Sequence, residues 1–238
     1  MCLIVALAGV LGACGGGGSP DASADIGQNV AFAVPVKPGA TQTLSLDGVE
    51  RGRGSVGVVL AHMLGSDQNA WSPIVGDLVD AGFHVLTFDF RGHGLSGGNR
   101  DPSHADLDLA GAIAKLRALG ATRLLVVGAS MGGTAALRVA AEENLAGVVS
   151  ISGPAQIGTL DAAGAVGHLR CPSLFIVARG DDIRYTRAAR SLYAAAVGQK
   201  TLRVVDGASA HGTDLLIDMN VSSTVKGLIM DFLAAHRG

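Results

Sequence analysis

The chain has 238 residues, of which 48% are hydrophobic, and this length and composition favour one globular domain with a sizeable core. Charged residues make up only 16%, the formal net charge is −2, and no basic run occurs, which argues against nucleic acid as a partner. The sequence has no CxxC, HExxH or paired-histidine pattern, so we expect neither a metal nor an organic cofactor.

The N-terminal residues are predicted to lie outside the folded domain. Residues 3–13 form an uncharged apolar run, too short to span a bilayer comfortably and typical of the apolar region of a signal peptide. The run leads into LGAC at residues 11–14, which resembles the lipobox of bacterial lipoproteins and implies lipidation of Cys14. An ordinary signal peptide or a chance apolar terminus is the alternative.

We therefore expect a lipoprotein signal peptide at residues 1–13, a flexible tether at 14–29 and one folded domain at 30–238. The lipobox resemblance implies a protein held at the bacterial cell envelope through its N-terminal lipid alone.

The rest of the chain alternates predicted strands and helices. Two short strands come first, at 30–36 and 41–48. Further strands are predicted at 55–61, 83–90, 123–128, 146–153, 172–178 and 200–207, and helices at 70–82, 105–120, 131–144, 185–197 and 222–236. Aliphatic strands that alternate with helices indicate an α/β fold, with a mostly parallel central sheet and helices on both faces.

The stretch LLVVGASMGG, residues 124–133, carries the first chemical signal. It places Ser130 between a buried strand and a helix, with Gly128 two residues before it and Gly132 two after. One interpretation is a glycine-rich turn that only needs tight backbone geometry. The other is a nucleophile elbow of the form G-x-S-x-G, which projects a serine hydroxyl above the sheet.

Two later strands end beside residues that could complete such a site. Asp181 and Asp182 follow the predicted strand 172–178, and His211 follows the strand 200–207. Active sites of open α/β sheets lie at the carboxyl ends of the strands, where these side chains would meet Ser130. A serine hydroxyl needs a base such as histidine, and the histidine needs a carboxylate to orient it.

Four motifs in order resemble those of the α/β hydrolases, over nearly all of residues 45–236. They are LAHMLGS at 60–66, FDFRGHGLSGG at 88–98, GASMGG at 128–133 and GASAHG at 207–212. The likeness is greatest to small carboxylesterases and dienelactone-hydrolase-like proteins. It implies the α/β-hydrolase fold, and the segment 154–171 is too short for a cap domain.

The resemblance also implies a role for each residue. Ser130 would be the nucleophile, His211 the base and Asp181 the acid, with Asp182 as the alternative acid. The backbone N–H groups of Met131 and Leu64 would form the oxyanion hole, with Met63 as the alternative to Leu64.

The predicted function is hydrolysis of a small carboxylic ester through an acyl-enzyme. The same residues would also serve a peptidase, a thioesterase or a perhydrolase, and a non-catalytic envelope binding protein on the same scaffold is a further alternative. GHGLSG at 92–97 also satisfies G-x-G-x-x-G, but it does not open a helix directly, so a dinucleotide site is set aside.

Overall fold

The computed structural model describes residues 27–238, which fold around one eight-stranded sheet. Its strands in chain order are β1 (Gln28–Pro35), β2 (Thr43–Arg51), β3 (Val56–Ala61), β4 (His84–Phe88), β5 (Arg123–Ala129), β6 (Gly147–Ile151), β9 (Ser173–Ala178) and β10 (Lys200–Val205). The two-residue strands β7 (Gln156–Ile157) and β8 (Leu160–Asp161) form a separate small ribbon.

The strand order in the sheet is β1-β2-β4-β3-β5-β6-β9-β10. Only β2 runs against its neighbours, since it pairs antiparallel with both β1 and β4, and every other pair is parallel. From β3 the chain moves outward to β4 and then returns to β5 on the other side. A sheet that reverses direction in this way opens a crevice at the carboxyl ends of β3 and β5.

In the described part of the chain, five helices cover the two faces of the sheet: α1 (Ser72–Asp80), α2 (Ala105–Ala118), α3 (Met131–Ala140), α4 (Ile183–Ala195) and α5 (Ser222–Ala235). Buried side chains of α2, α3 and α4 join one apolar core, and those of α1 and α5 join the core on the opposite face. The strands between them are buried on both faces, which explains their uninterrupted aliphatic sequences. The structure thus has the α/β-hydrolase architecture that the sequence predicted.

The connection from β6 to β9 contains only the small ribbon and one short 3₁₀ turn, Val166–His168, so within residues 27–238 no cap domain covers the carboxyl edge of the sheet. Helix α1 is shorter than its predicted range because residues Gln68–Trp71 form a separate 3₁₀ turn. Helix α3 likewise ends at Ala140, four residues before its predicted end.

The predicted signal peptide, the predicted lipidation site Cys14 and the predicted tether up to residue 26 lie outside the described residues. Strand β1 begins at Gln28, so residues 28 and 29, which the sequence assigned to the tether, belong to the sheet. Among the described residues, no helix combines the length and the apolar character that crossing a membrane requires.

The glycines around Ser130 allow an unusually close approach of the backbone. A Cβ built on Gly132 would lie 2.2 Å from the carbonyl oxygen of Ala61, at the end of β3. One built on Gly128 would lie 2.1 Å from the carbonyl oxygen of Gly132 itself. Both contacts are with backbone atoms, which cannot move aside as the end of a flexible side chain can, so any larger residue would force β3, β5 and α3 apart.

We expect Gly132→Ala to destabilise the domain by about 2–3 kcal/mol, which lowers Tm by about 5–10 °C. The added methyl group has to displace the Ala61 carbonyl. The matched control is Gly227→Ala in α5, where no atom lies within 4 Å of the added Cβ. That variant should gain roughly 0.5–1 kcal/mol from helix propensity. Thermal unfolding followed by circular dichroism measures both, and equal Tm values for the two variants would contradict the steric argument.

Candidate active site

Ser130 occupies the sharp turn between β5 and α3. Its φ is 49° and its ψ is −114°, a left-handed conformation that residues other than glycine rarely adopt. Two backbone hydrogen bonds hold it there: the Ser130 N–H donates to Ile151 O at 2.8 Å, and the Thr134 N–H donates to Ser130 O at 3.0 Å. The strained serine is therefore fixed between β6 and the first turn of α3.

Asp181 and His211 form a direct pair after the next strands of the sheet. The Nδ1 of His211 lies 3.0 Å from Oδ2 of Asp181 and 3.2 Å from Oδ1. Asp181 is buried, whereas the His211 side chain keeps 26% of its surface exposed. A carboxylate that accepts from Nδ1 leaves Nε2 as the free ring nitrogen, the arrangement that a histidine base requires.

The side chain of Asp182, the alternative acid, lies at the start of α4. Its side chain caps α4 by accepting from the Arg184 N–H at 2.8 Å, and it forms an ion pair with the Arg184 side chain. The Arg184 guanidinium holds the pKa of Asp182 below its ordinary value. The two adjacent aspartates thus have different surroundings: Asp181 contacts His211, and Asp182 begins a helix.

Two further side chains contact the Asp181–His211 pair, and the sequence analysis missed both. The Ser152 hydroxyl donates to Oδ2 of Asp181 at 2.8 Å. The ring of Tyr185 packs on the ring of His211, with the centroids 4.0 Å apart. Ser152 also has a positive φ, 52°, at the carboxyl end of β6. No sequence signal marks Tyr185, whereas the position of Ser152 at the end of a central strand could have drawn attention to it.

The loop that carries His211 packs against the loop that follows β3 and against the last residue of β5. A Cβ built on Gly212 would lie 3.6 Å from Cβ of Ala129, the residue before Ser130, and 2.9 Å from Sδ of Met63. The structure therefore brings together the serine, the Asp181–His211 pair and the loop after β3 at the carboxyl edge of the sheet.

Two histidines hold the loop after β3 in place. The His62 Nδ1–H donates to Met63 O at 2.8 Å, while His62 Nε2 accepts from the Phe90 N–H at 3.0 Å. His93 accepts from the Gly65 N–H at 3.3 Å through its Nε2. His62 must be neutral to make both of its bonds, and its complete burial agrees with this.

The residues predicted to supply the oxyanion hole lie in this loop and at the start of α3. Met131 is the buried first residue of α3, directly after Ser130. Leu64 has 45% of its surface exposed, whereas Met63 packs partly against the core. The roles of Met131, Leu64 and Met63 as donors stay predictions. Within residues 27–238, no group of three or more His, Cys, Asp or Glu side chains is arranged to hold a metal.

His62 should make the stability of the domain sensitive to pH. Burial lowers its pKa from the ordinary 6.5 to about 4. Below pH 6.5 the unfolded chain binds a proton at this histidine and the folded chain does not, so stability falls with pH down to about 4. Between pH 6.5 and about pH 4, His62 thereby lowers the free energy of unfolding by about 3 kcal/mol.

Urea unfolding between pH 7 and pH 4 measures this slope. We expect His62→Gln to flatten it, because glutamine keeps a donor and an acceptor and binds no proton. The matched control, His168→Gln, removes an exposed histidine and should keep the wild-type slope. An unchanged slope in the His62 variant would show that other groups cause the acid sensitivity.

Comparison with known proteins agrees with this architecture. The model of the alpha/beta hydrolase family matches residues 58–224. A protein of Variovorax paradoxus (strain S110) named "Putative carbamate hydrolase RutD" is 28% identical over an alignment of 134 residues, which covers 50% of this chain and 50% of RutD. The chain therefore spans about half the length of the curated relative that it matches.

Solved structures of low identity share the fold. An esterase of Pyrococcus furiosus has a TM-score of 0.75 at 20% identity, with 90% of this chain and 92% of that chain covered. The enol-lactonase of Burkholderia xenovorans has a TM-score of 0.68 at 19% identity, with 80% and 97% covered. Since the family model covers most of the domain and its fold is the one observed, the chain belongs to the α/β hydrolase family.

Proposed function

We propose that this protein is a serine hydrolase that cleaves carboxylic esters through an acyl-enzyme. The observation that carries the proposal is the hydrogen bond from His211 to the buried Asp181, beside a serine at a strained strand-to-helix turn. Ser130, Asp181 and His211 occupy the order and the strand ends expected of a nucleophile, an acid and a base.

In the first half of the proposed reaction, the Ser130 oxygen attacks the ester carbonyl while His211 Nε2 takes the hydroxyl proton. Asp181 holds the Nδ1–H of the ring and stabilises its positive charge. The carbonyl oxygen becomes an oxyanion, bound by the N–H groups of Met131 and of Leu64 or Met63. The ester C–O bond then breaks, and His211 returns the proton to the leaving alcohol.

In the second half, water attacks the acyl-enzyme and gives its proton to His211. The second tetrahedral intermediate collapses, the bond between the acyl carbon and the Ser130 oxygen breaks, His211 returns its proton to that oxygen and the free acid leaves. Every proton passes through His211, so the mechanism needs a correctly oriented ring in both halves. The hydrogen bonds that Asp181 accepts from Ser152 and from the Asp182 N–H fix the carboxylate, and this favours one orientation of the His211 ring.

The open carboxyl edge favours small or extended acyl substrates, because no cap domain encloses them. The match to RutD favours carbamates as a second class of substrate for the same residues. In a carbamate the attacked carbon is again a carbonyl, so the nucleophile, the base and the oxyanion donors would keep their roles.

The test is hydrolysis of p-nitrophenyl esters from acetate to laurate by residues 27–238, together with labelling by a fluorophosphonate. Ser130→Ala should lower kcat by about 10⁴-fold or more and abolish the labelling. Asp181→Asn should lower kcat about 10⁴-fold, because an amide favours the wrong histidine tautomer.

Asp182→Asn is the matched control, since asparagine caps a helix as well as aspartate does, and its kcat should stay within about twofold of wild type. Equal losses at residues 181 and 182 would contradict the assignment of the acid. A wild-type protein with neither turnover nor labelling would refute the serine hydrolase and favour a binding protein.

A further inference from the structure

A groove of about 590 Å³ lies between the segment after β6 and helix α4. One wall is formed by residues 154–157, which are uncharged, and the other by side chains of α4 that include Tyr185, Arg187 and Ala188. Ile157 and Ala155 on the first wall are partly buried apolar residues that pack against the core. The groove therefore combines an apolar floor with a basic edge.

Neighbours of the Asp181–His211 pair lead to the groove on both of its walls. Its first wall follows Ser152 by two residues, and the Ser152 hydroxyl is bound to Asp181. Its second wall contains Tyr185, whose ring packs on His211. A molecule whose reacting carbonyl lies at Ser130 could therefore extend its remote end along this groove.

The first wall is fixed to the rest of the fold. The Thr134 hydroxyl, one turn into α3 after Ser130, donates to Pro154 O at 2.8 Å. The N–H groups of Ala162 and Ala163 donate to Ala155 O at 3.0 and 3.1 Å. A wall held in this way has little freedom to collapse or to open, so the groove is largely preformed for a ligand.

The charged side chains that line the groove are all positive. Helix α4 carries three arginines, Arg184, Arg187 and Arg190, and no acidic residue. Arg184 is occupied by its ion pair with Asp182. Arg187 is exposed and lines the groove, and within residues 27–238 it makes no hydrogen bond or ion pair. Its guanidinium is free to bind an anion, and its planar fork suits a carboxylate.

We propose that Arg187 binds a free carboxylate at the remote end of the substrate, so that the enzyme prefers anionic esters to neutral ones of the same size. The inference rests on the proposed function and narrows its substrate class. The apolar floor receives a short hydrocarbon spacer, and Arg187 receives the charge beyond it. Tyr185 joins this subsite to the reacting centre.

Two matched pairs of substrates test the preference. Mono-p-nitrophenyl adipate and its methyl ester differ by a charge in the acyl part, and 4-acetoxybenzoate and its methyl ester differ by a charge in the alcohol part. In at least one pair, Arg187→Gln should lower the ratio of kcat/KM for the anionic ester over the neutral ester by about fivefold. Arg187→Lys should keep part of the ratio, and 0.5 M NaCl should reduce the wild-type ratio.

Arg190→Gln is the matched control, because Arg190 is an exposed arginine of the same helix that does not line the groove. It should leave the ratio as in wild type. The proposal is overturned if Arg187→Gln changes both esters equally in both pairs, or if Arg190→Gln reduces the ratio as much. General effects of lost charge on the fold or on long-range steering would give these results.

A failure of the proposed function gives a different result. If the wild type hydrolyses none of the four esters and resists the fluorophosphonate, the serine hydrolase is refuted. The groove is then tested by calorimetric titration with the mono-p-nitroanilide of adipic acid. Binding that weakens about fivefold in Arg187→Gln and not in Arg190→Gln supports the carboxylate subsite without catalysis. The carboxylate subsite is overturned if the wild type does not bind the anilide, or if Arg187→Gln binds it as tightly as the wild type does.

Discussion

The close contact between the elbow of Ser130 and the end of β3 is the constraint on which the site depends. Gly132 lies so near the carbonyl of Ala61 that no side chain fits between them, and Gly128 packs with the same tightness on Gly132. Ala61 and Gly128 are paired neighbours in the sheet. Because two parallel strands end side by side, the turn after one and the loop after the other are forced to the same place. The strained φ of Ser130 persists because the sheet, α3 and β6 all restrain it.

Asp181 connects this elbow to the rest of the carboxyl edge. It accepts hydrogen bonds from Ser152 at the end of β6, from the backbone of Asp182 at the start of α4 and from His211 after β10. Three elements therefore determine the direction of one carboxylate. A carboxylate restrained from three sides holds the His211 ring in one orientation, which a base that both takes and returns a proton requires.

The surroundings of the site divide into a rigid side and an open side. His62 and His93 are buried, and hydrogen bonds from their rings hold together the loops after β3 and β4. On the other side, α4 carries Tyr185 and the exposed Arg184 and Arg187 along a groove. Chemistry that is common to the family would depend on the first side, and selection among substrates on the second. The absence of a cap domain between β6 and β9 makes the groove accessible.

The sequence by itself determined the fold class, the strand-to-helix turn at Ser130 and the positions of Asp181 and His211 after their strands. The periodicity of hydrophobic residues, the length of the strands and the spacing of the glycines are all local signals in the sequence. The carboxyl ends of parallel strands must also meet at one edge of the sheet, which places the residues that follow them close together. Only the tertiary structure decided that Asp181 contacts His211 while Asp182 caps α4, since the two residues are adjacent and chemically identical. It also placed Ser152 and Tyr185 against that pair and the free Arg187 in the groove. Such contacts join residues far apart in the chain, and their geometry depends on how the helices pack on the sheet, which no local pattern records.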